Sequence, residues 1–200
     1  MTTPILFYFD FASPYSYIAS EKIDAIAERH GCSVQWRPIL LGAVFKAHGT
    51  LPLVNQADKA DYSVHDFLRS ARFHGVPFRQ PAEFPVSTLL PARAYYWLHG
   101  QDCGLARRFA HGVFRAYFAE GREVAGLATT LDLAAAAGAD PAAVEAGMNE
   151  AAIKERLRAE TDAALAAGVF GAPWLVVDGE PFWGADRLPQ VEHWLQTGGF

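Results

Sequence analysis

Cysteine is scarce in this chain. Cys32 and Cys103 are its two, far apart, and neither belongs to a Cys-x-x-Cys pair. That count argues against a disulfide framework and a cysteine-built zinc site, and both residues read as free thiols. Long hydrophobic runs are also missing: no stretch approaches the ~18 apolar residues of a membrane span. The stretch MTTPILFYFDFASP lacks a basic region and is interrupted by Asp10, so it is not expected to act as a signal peptide. The expected compartment is the cytoplasm. Positive charge is in deficit, with 17 Lys and Arg against 22 Asp and Glu and a net charge of −5. That balance argues against a protein that coats nucleic-acid phosphates. The seven histidines show no metal-ligand spacing such as His-Glu-x-x-His, and no Gly-x-Ser-x-Gly elbow is present. No metal is expected.

What the chain does have is apolar bulk: 51% of its 200 residues are hydrophobic, enough for a sizeable core. Residues 5–11, ILFYFDF, read as a buried strand. From Pro14 the period changes, and Tyr17, Ile18, Ile23, Ile26 and Ala27 fall on one helical face that ends at His30-Gly31. Residues 33–40 read as a second strand, with Pro38 pushing it towards an edge. Strand, helix, strand at this spacing predicts a parallel βαβ unit. Residues 42–61 show no clear period. A helix is expected over 61–75, a proline-rich loop over 76–91, and helices from there to 167. Residues 174–177 and 180–183 flank Asp178-Gly179 as a hairpin, and 186–195 suit a short amphipathic helix with Asp186 as its N-cap. The pattern predicts one α/β domain, 1–45 with 168–200, interrupted by an all-α insertion over 46–167.

Ser13 sits where the first strand gives way to the first helix, with Pro14 behind it. One reading is a helix N-cap, worth ~1 kcal/mol, with proline at the first helical position. The other uses the same geometry: a helix N-terminus has open N–H groups and partial positive charge, and it seats an anion such as a thiolate. Both readings stand on spacing alone. A serine nucleophile would need a positioned base, and no histidine is near Ser13 in sequence.

Two stretches carry a family resemblance: FYFDFASPYSYIAS (7–20) and GVFGAPWLVVDGEPFWGADRLPQVEHWL (168–195). With PILLGAVFKAHG, DKADY and GVPFRQPAEFP between them, they resemble the 2-hydroxychromene-2-carboxylate isomerases. These are similar to kappa-class glutathione transferases and belong to the wider DsbA-type thioredoxin-fold group. The resemblance implies a thioredoxin-like domain interrupted by a helical insertion, glutathione as cofactor, a small aromatic acid or electrophile as substrate, and a homodimer. Ser13-Pro14-Tyr15-Ser16 stands where DsbA-type oxidoreductases carry Cys-x-x-Cys, so dithiol exchange at this site is chemically excluded.

By the same resemblance Ser13 donates to the glutathione sulfur, and Ala172, before a cis Pro173, offers its backbone to the cysteine of glutathione. Trp183, Gly184, Ala185 and Asp186 border the γ-glutamyl end, with the Asp186 carboxylate on the ammonium. Asn55 and Lys59 stand where kappa-like proteins hold glutathione or substrate carboxylates. On the substrate side, aromatic-acid isomerases have a lysine near Phe45, where this chain has Lys46 one position on, and a tyrosine at Phe84. Arg37, Lys46, Lys59 and Arg79 are the cations available to a substrate carboxylate. The implied reaction interconverts an aromatic hemiketal or cis-enone acid and its trans isomer by reversible thiolate addition. Two alternatives stay open: a kappa-like transferase conjugating small electrophiles, and a non-catalytic thioredoxin-fold binding protein.

Overall fold

The structure, a computed structural model, describes residues 3–200. Four strands among them form one mixed sheet in the order β2-β1-β3-β4. They are β1 (Ile5–Phe9), β2 (Val34–Pro38), β3 (Trp174–Val177) and β4 (Glu180–Trp183). β1 runs parallel to β2 and antiparallel to β3, and β4 returns antiparallel on β3. The expected parallel pair and hairpin are both present. Pro38 ends the edge strand β2, where its missing N–H costs the ladder least. The first strand is shorter than expected: the chain leaves β1 after Phe9 and turns at Asp10.

The two-residue period of the strands sorts their side chains into two cores. Ile5, Phe7, Phe9, Val34, Trp36, Leu175, Val177 and Phe182 face the larger one. There they meet α1 (Pro14–Arg29), α5 (Cys103–Phe118) and α9 (Leu188–Thr197). Aromatic rings fill the centre, with Phe9 5.5 Å from Phe114 and 5.4 Å from Trp36 between ring centroids. Burying each such ring stabilises the fold by about 1.5–3 kcal/mol. Tyr8 and Trp174 point to the other side of the sheet, where α2 (Leu41–Ala47) and α8 (Ala151–Ala166) cover them through Leu41, Val44 and Ala164.

The remaining helices, α3 (Ala60–His74), α4 (Leu89–Gln101), α6 (Leu127–Ala137) and α7 (Pro141–Met148), form the helical part with α5 and α8. It is fastened to the sheet through α4. Tyr95 Oη donates to the Trp36 carbonyl at 3.1 Å and Tyr96 Oη to the Pro38 carbonyl at 2.7 Å. Residues 42–61, aperiodic in sequence, contain most of α2 and a 3-10 turn, Leu53–Asn55. Neither has a side-chain cap, and α2 is seven residues long, too short to show a period. The expected boundary after residue 45 falls inside α2. Asp186 is not the N-cap of α9: it lies in a 3-10 turn, Ala185–Arg187, and the helix starts at Leu188. No helix among the described residues is long and apolar enough to cross a membrane.

Candidate active site

The loop after β1 is held by one buried carboxylate. Asp10 accepts from Ala12 N at 2.8 Å, from Leu41 N at 2.7 Å and from Thr88 Oγ1 at 2.7 Å. It thereby joins the turn before α1, the start of α2 and the residue before α4. Burial pushes the Asp10 carboxyl above its ordinary value, opposed by those three donors.

That knot delivers Ser13 to the N-cap of α1. Its Oγ accepts from Ser16 N at 3.1 Å, while its hydroxyl donates to the Ala172 carbonyl at 3.0 Å. Pro14 has no N–H, and the Ser16 N–H is taken by the cap. The first-turn donor with no bond inside the helix is therefore Tyr15 N–H. Ser13 is 5% exposed, so a charge placed beside it is shielded from water and feels the helix terminus strongly. The Ala172-Pro173 bond is cis, as is Phe84-Pro85.

Ser13 and Ala172 line a cleft of about 1430 Å³. One side carries the end of the hairpin, with Trp183, Gly184, Asp186 and Arg187. Gly184 has φ +106°, a conformation that L side chains rarely adopt, so the position favours glycine. Asp186 Oδ2 lies 3.4 Å from Arg187 Nη2, and both side chains are largely exposed. Trp183 lies against Phe170 and over Gly171, where a Cβ would stand 2.5 Å from its Nε1.

α3 contributes Tyr62, Asp66, Arg69 and His74 to the same cleft. Tyr15 Oη donates to Asp66 Oδ2, and Arg69 binds both the Asp66 carboxylate and Tyr62 Oη. Burial, then the Asp66 charge, pushes the Tyr15 hydroxyl far up, so it stays protonated. Burial pushes Asp66 up as well, but the bonds from Tyr15 and Arg69 outweigh it and hold the carboxyl below its ordinary value. Burial and the Lys22 charge lower His74. Apolar side chains, Phe45, Leu51, Leu53, Phe67, Phe84 and Leu89 among them, complete the walls.

The residues singled out in the sequence divide. Ser13, Lys59, Ala172, Trp183, Gly184, Asp186, Phe45 and Phe84 all line the cleft. Pro173 and Ala185 are buried behind it, and Asn55 and Lys46 are exposed and not among its lining residues. Arg37 instead pairs with Glu160 at 3.5 Å, and Arg79 packs against Gly121. Lys59 Nζ donates to the neutral Gln56 Oε1 at 2.9 Å, whereas Arg69 and Arg187 are paired with carboxylates. Sequence reasoning passed over Asp10, Tyr15, Asp66, Arg69, Thr88 and His48. Tyr15 and Asp10 flank Ser13 and were open to notice; the others belong to segments whose approach only the fold creates. Among the described residues no group of three or more His, Cys, Asp or Glu is placed to hold a metal.

A family model described as a DSBA-like thioredoxin domain matches residues 4–196. The chain is 34% identical to the 2-hydroxychromene-2-carboxylate isomerase of Sphingobium xenophagum, over 98% of this chain and 99% of that protein. It is 29% identical to glutathione S-transferase kappa 2 of Caenorhabditis elegans, over 96% and 91%. A solved structure of a 2-hydroxychromene-2-carboxylate isomerase superposes with a TM-score of 0.84 at 29% identity, covering 97% of this chain and 95% of that one.

Proposed function

From a chain that belongs to the DSBA-like thioredoxin-domain family, within it to the 2-hydroxychromene-2-carboxylate isomerases, we infer an isomerase that interconverts an aromatic hemiketal or cis-enone acid and its trans isomer with glutathione as cofactor. The observation that carries the reading is Ser13. A serine hydroxyl, with no cysteine at either end of Ser13-Pro14-Tyr15-Ser16, caps a helix at the floor of a cleft and touches the Ala172 carbonyl. A dithiol oxidoreductase has no use for that floor. An enzyme whose sulfur arrives from outside does.

The residues present fit glutathione. A pocket for one drug-sized ligand measures about 300–1,000 Å³, so a cleft of about 1430 Å³ has room for a tripeptide and a small aromatic acid together. The adjoining Asp186 and Arg187 offer opposite charges to an ammonium and a carboxylate on one amino-acid end. When bound, glutathione supplies a thiolate that adds reversibly to a conjugated enone, so that a double bond turns as a single bond before elimination.

The protein's part is ionisation and placement. A free thiol of pKa ~8.5 is about 3% ionised at neutral pH. Ser13 has one hydroxyl proton, and Ala172 holds it in this structure. Turning it to a sulfur gives up a neutral bond worth ~1 kcal/mol and gains a charge-assisted one worth about 1.5–3 kcal/mol. The Tyr15 N–H and the α1 terminus add to that balance. Lys59, with its neutral partner, is free to take a substrate or glutathione carboxylate, and Phe45 and Phe84 offer apolar contact to an aromatic ring. The protein acts as a homodimer in the cytoplasm in this reading.

The test supplies 2-hydroxychromene-2-carboxylate with and without glutathione. Conversion is expected only with it, and conversion indifferent to glutathione overturns the cofactor assignment. The relation to a kappa-class transferase favours one second reading, conjugation, and a stable thioether product would select it.

A further inference from the structure

We propose that His48 is the acid–base group that opens and closes the substrate's hemiketal ring, a step that uses no glutathione. The proposal rests on the isomerase reading above. In a 2-hydroxychromene-2-carboxylate the double bond is locked cis inside a ring, so ring opening must come before any rotation. Opening breaks the bond between C2 and the ring oxygen, and the electron pair leaves with that oxygen. The C2 hydroxyl loses its proton as its O–H pair becomes the second bond of the ketone. The ring oxygen takes up a proton and becomes a phenol. Nothing is oxidised or reduced. The step needs one group that takes a proton from one oxygen and returns it to another on the same carbon.

His48 closes α2 and lines the cleft. Its Nδ1 lies 3.0 Å from the Val44 carbonyl oxygen. A carbonyl only accepts, so Nδ1 carries the hydrogen and, in the neutral ring, the lone pair belongs to Nε2. The same bond fixes the ring's orientation. Of the other lining acids, Asp10 is held by three donors and Asp66 by Tyr15 and Arg69, and Asp186 stands at the hairpin end given to the amino-acid end of glutathione. His74 feels the field of Asp186, beside the hairpin end assigned to glutathione. His48 is at the far end of α2 from Asp10, whose carboxylate holds Leu41 N at 2.7 Å. A seven-residue helix is about 10 Å long, so α2 carries His48 from the anchored loop at Asp10 along the wall of the cleft that Ser13 also lines. Phe45, on the preceding turn of α2, lines the cleft beside it.

Ring opening can be read without glutathione, as the approach to ring–chain equilibrium after a pH jump, followed by ultraviolet absorbance. The native protein should accelerate it, and His48→Gln should lose about 100-fold of that acceleration. His48→Ala should lose as much and recover in added imidazole, which a purely structural role of the ring would not produce. With glutathione present, cis-2-methoxybenzylidenepyruvate cannot cyclise and reports rotation alone; there His48→Gln should lose at most a few-fold. Ring opening by His48→Gln at the native rate overturns the proposal, as does an equal loss on the hemiketal and the ether. An error in the isomerase reading looks different: the native protein with glutathione leaves the ether cis, and the proposal falls with the reading.

Discussion

Ser13 carries two duties with one hydroxyl. As acceptor it caps α1 through Ser16 N, and as donor it faces Ala172 O. One substitution ends both duties, and each has its own readout. Ser13→Ala removes the cap, at a cost of ~1 kcal/mol, and removes the donor that would turn to sulfur. The thiol of bound glutathione should then titrate about half a unit to one and a half units higher, and turnover near neutral pH should fall about 2- to 30-fold. Thiolate absorbance measured against pH in native and variant protein checks this. An unshifted titration would return Ser13 to capping alone. The sequence placed this residue at a helix start because Pro14 and the change of period are local signals. The direction of its proton was not readable, because the acceptor is 159 residues away.

Between elements, the docking of α1 on α5 rests on a charged cluster as well as on rings. Arg115 donates to both oxygens of Glu21, at 2.9 and 2.8 Å, and His111 Nδ1 lies 3.4 Å from the same carboxylate. Burial pushes Glu21 up, but the bonds from His111 and Arg115 prevail and hold it at about 2, below its ordinary 4.5. A carboxyl lowered by folding contributes stability that is complete above its unfolded value and is lost as pH falls through the folded one. Glu21 should therefore steepen acid unfolding between about pH 4.5 and 2. Burial lowers His111, but its bonds to Asp24 and Glu21 raise it overall. Its contribution is complete below the ordinary histidine value and fades as pH rises through the folded one. Glu21→Gln should cost about 2 kcal/mol near neutral pH and flatten the acid limb. Denaturant unfolding across that range measures both. A parallel offset at every pH would assign the loss to packing instead.

At the scale of the whole molecule, the cleft exists because the helical part is fastened to the sheet edge. Tyr96→Phe leaves the Pro38 carbonyl without its hydroxyl partner, which should cost about 1–3 kcal/mol. In a chain of this length each kcal/mol lowers Tm by about 2–4 °C, so calorimetry should show a drop of several degrees. An unchanged Tm would show that the tyrosine ring, rather than its hydroxyl, does the fastening. Periodicity and turn chemistry were enough to determine the strands, the hairpin at Asp178-Gly179, the long helices and the place of Ser13 at a helix start. The missing cysteines alone excluded dithiol chemistry. All of these depend on residues within a turn or two of one another. Tertiary structure decided which cations keep their charge for a ligand, that Asp186 sits outside α9, and that Leu41 and Thr88 share the Asp10 carboxylate. It also decided that Tyr15 meets Asp66, and that Asn55 and Lys46 stay off the cleft wall. Apart from the local start of α9, each depends on the distance between segments far apart in the chain, and a one-dimensional pattern contains no such distance.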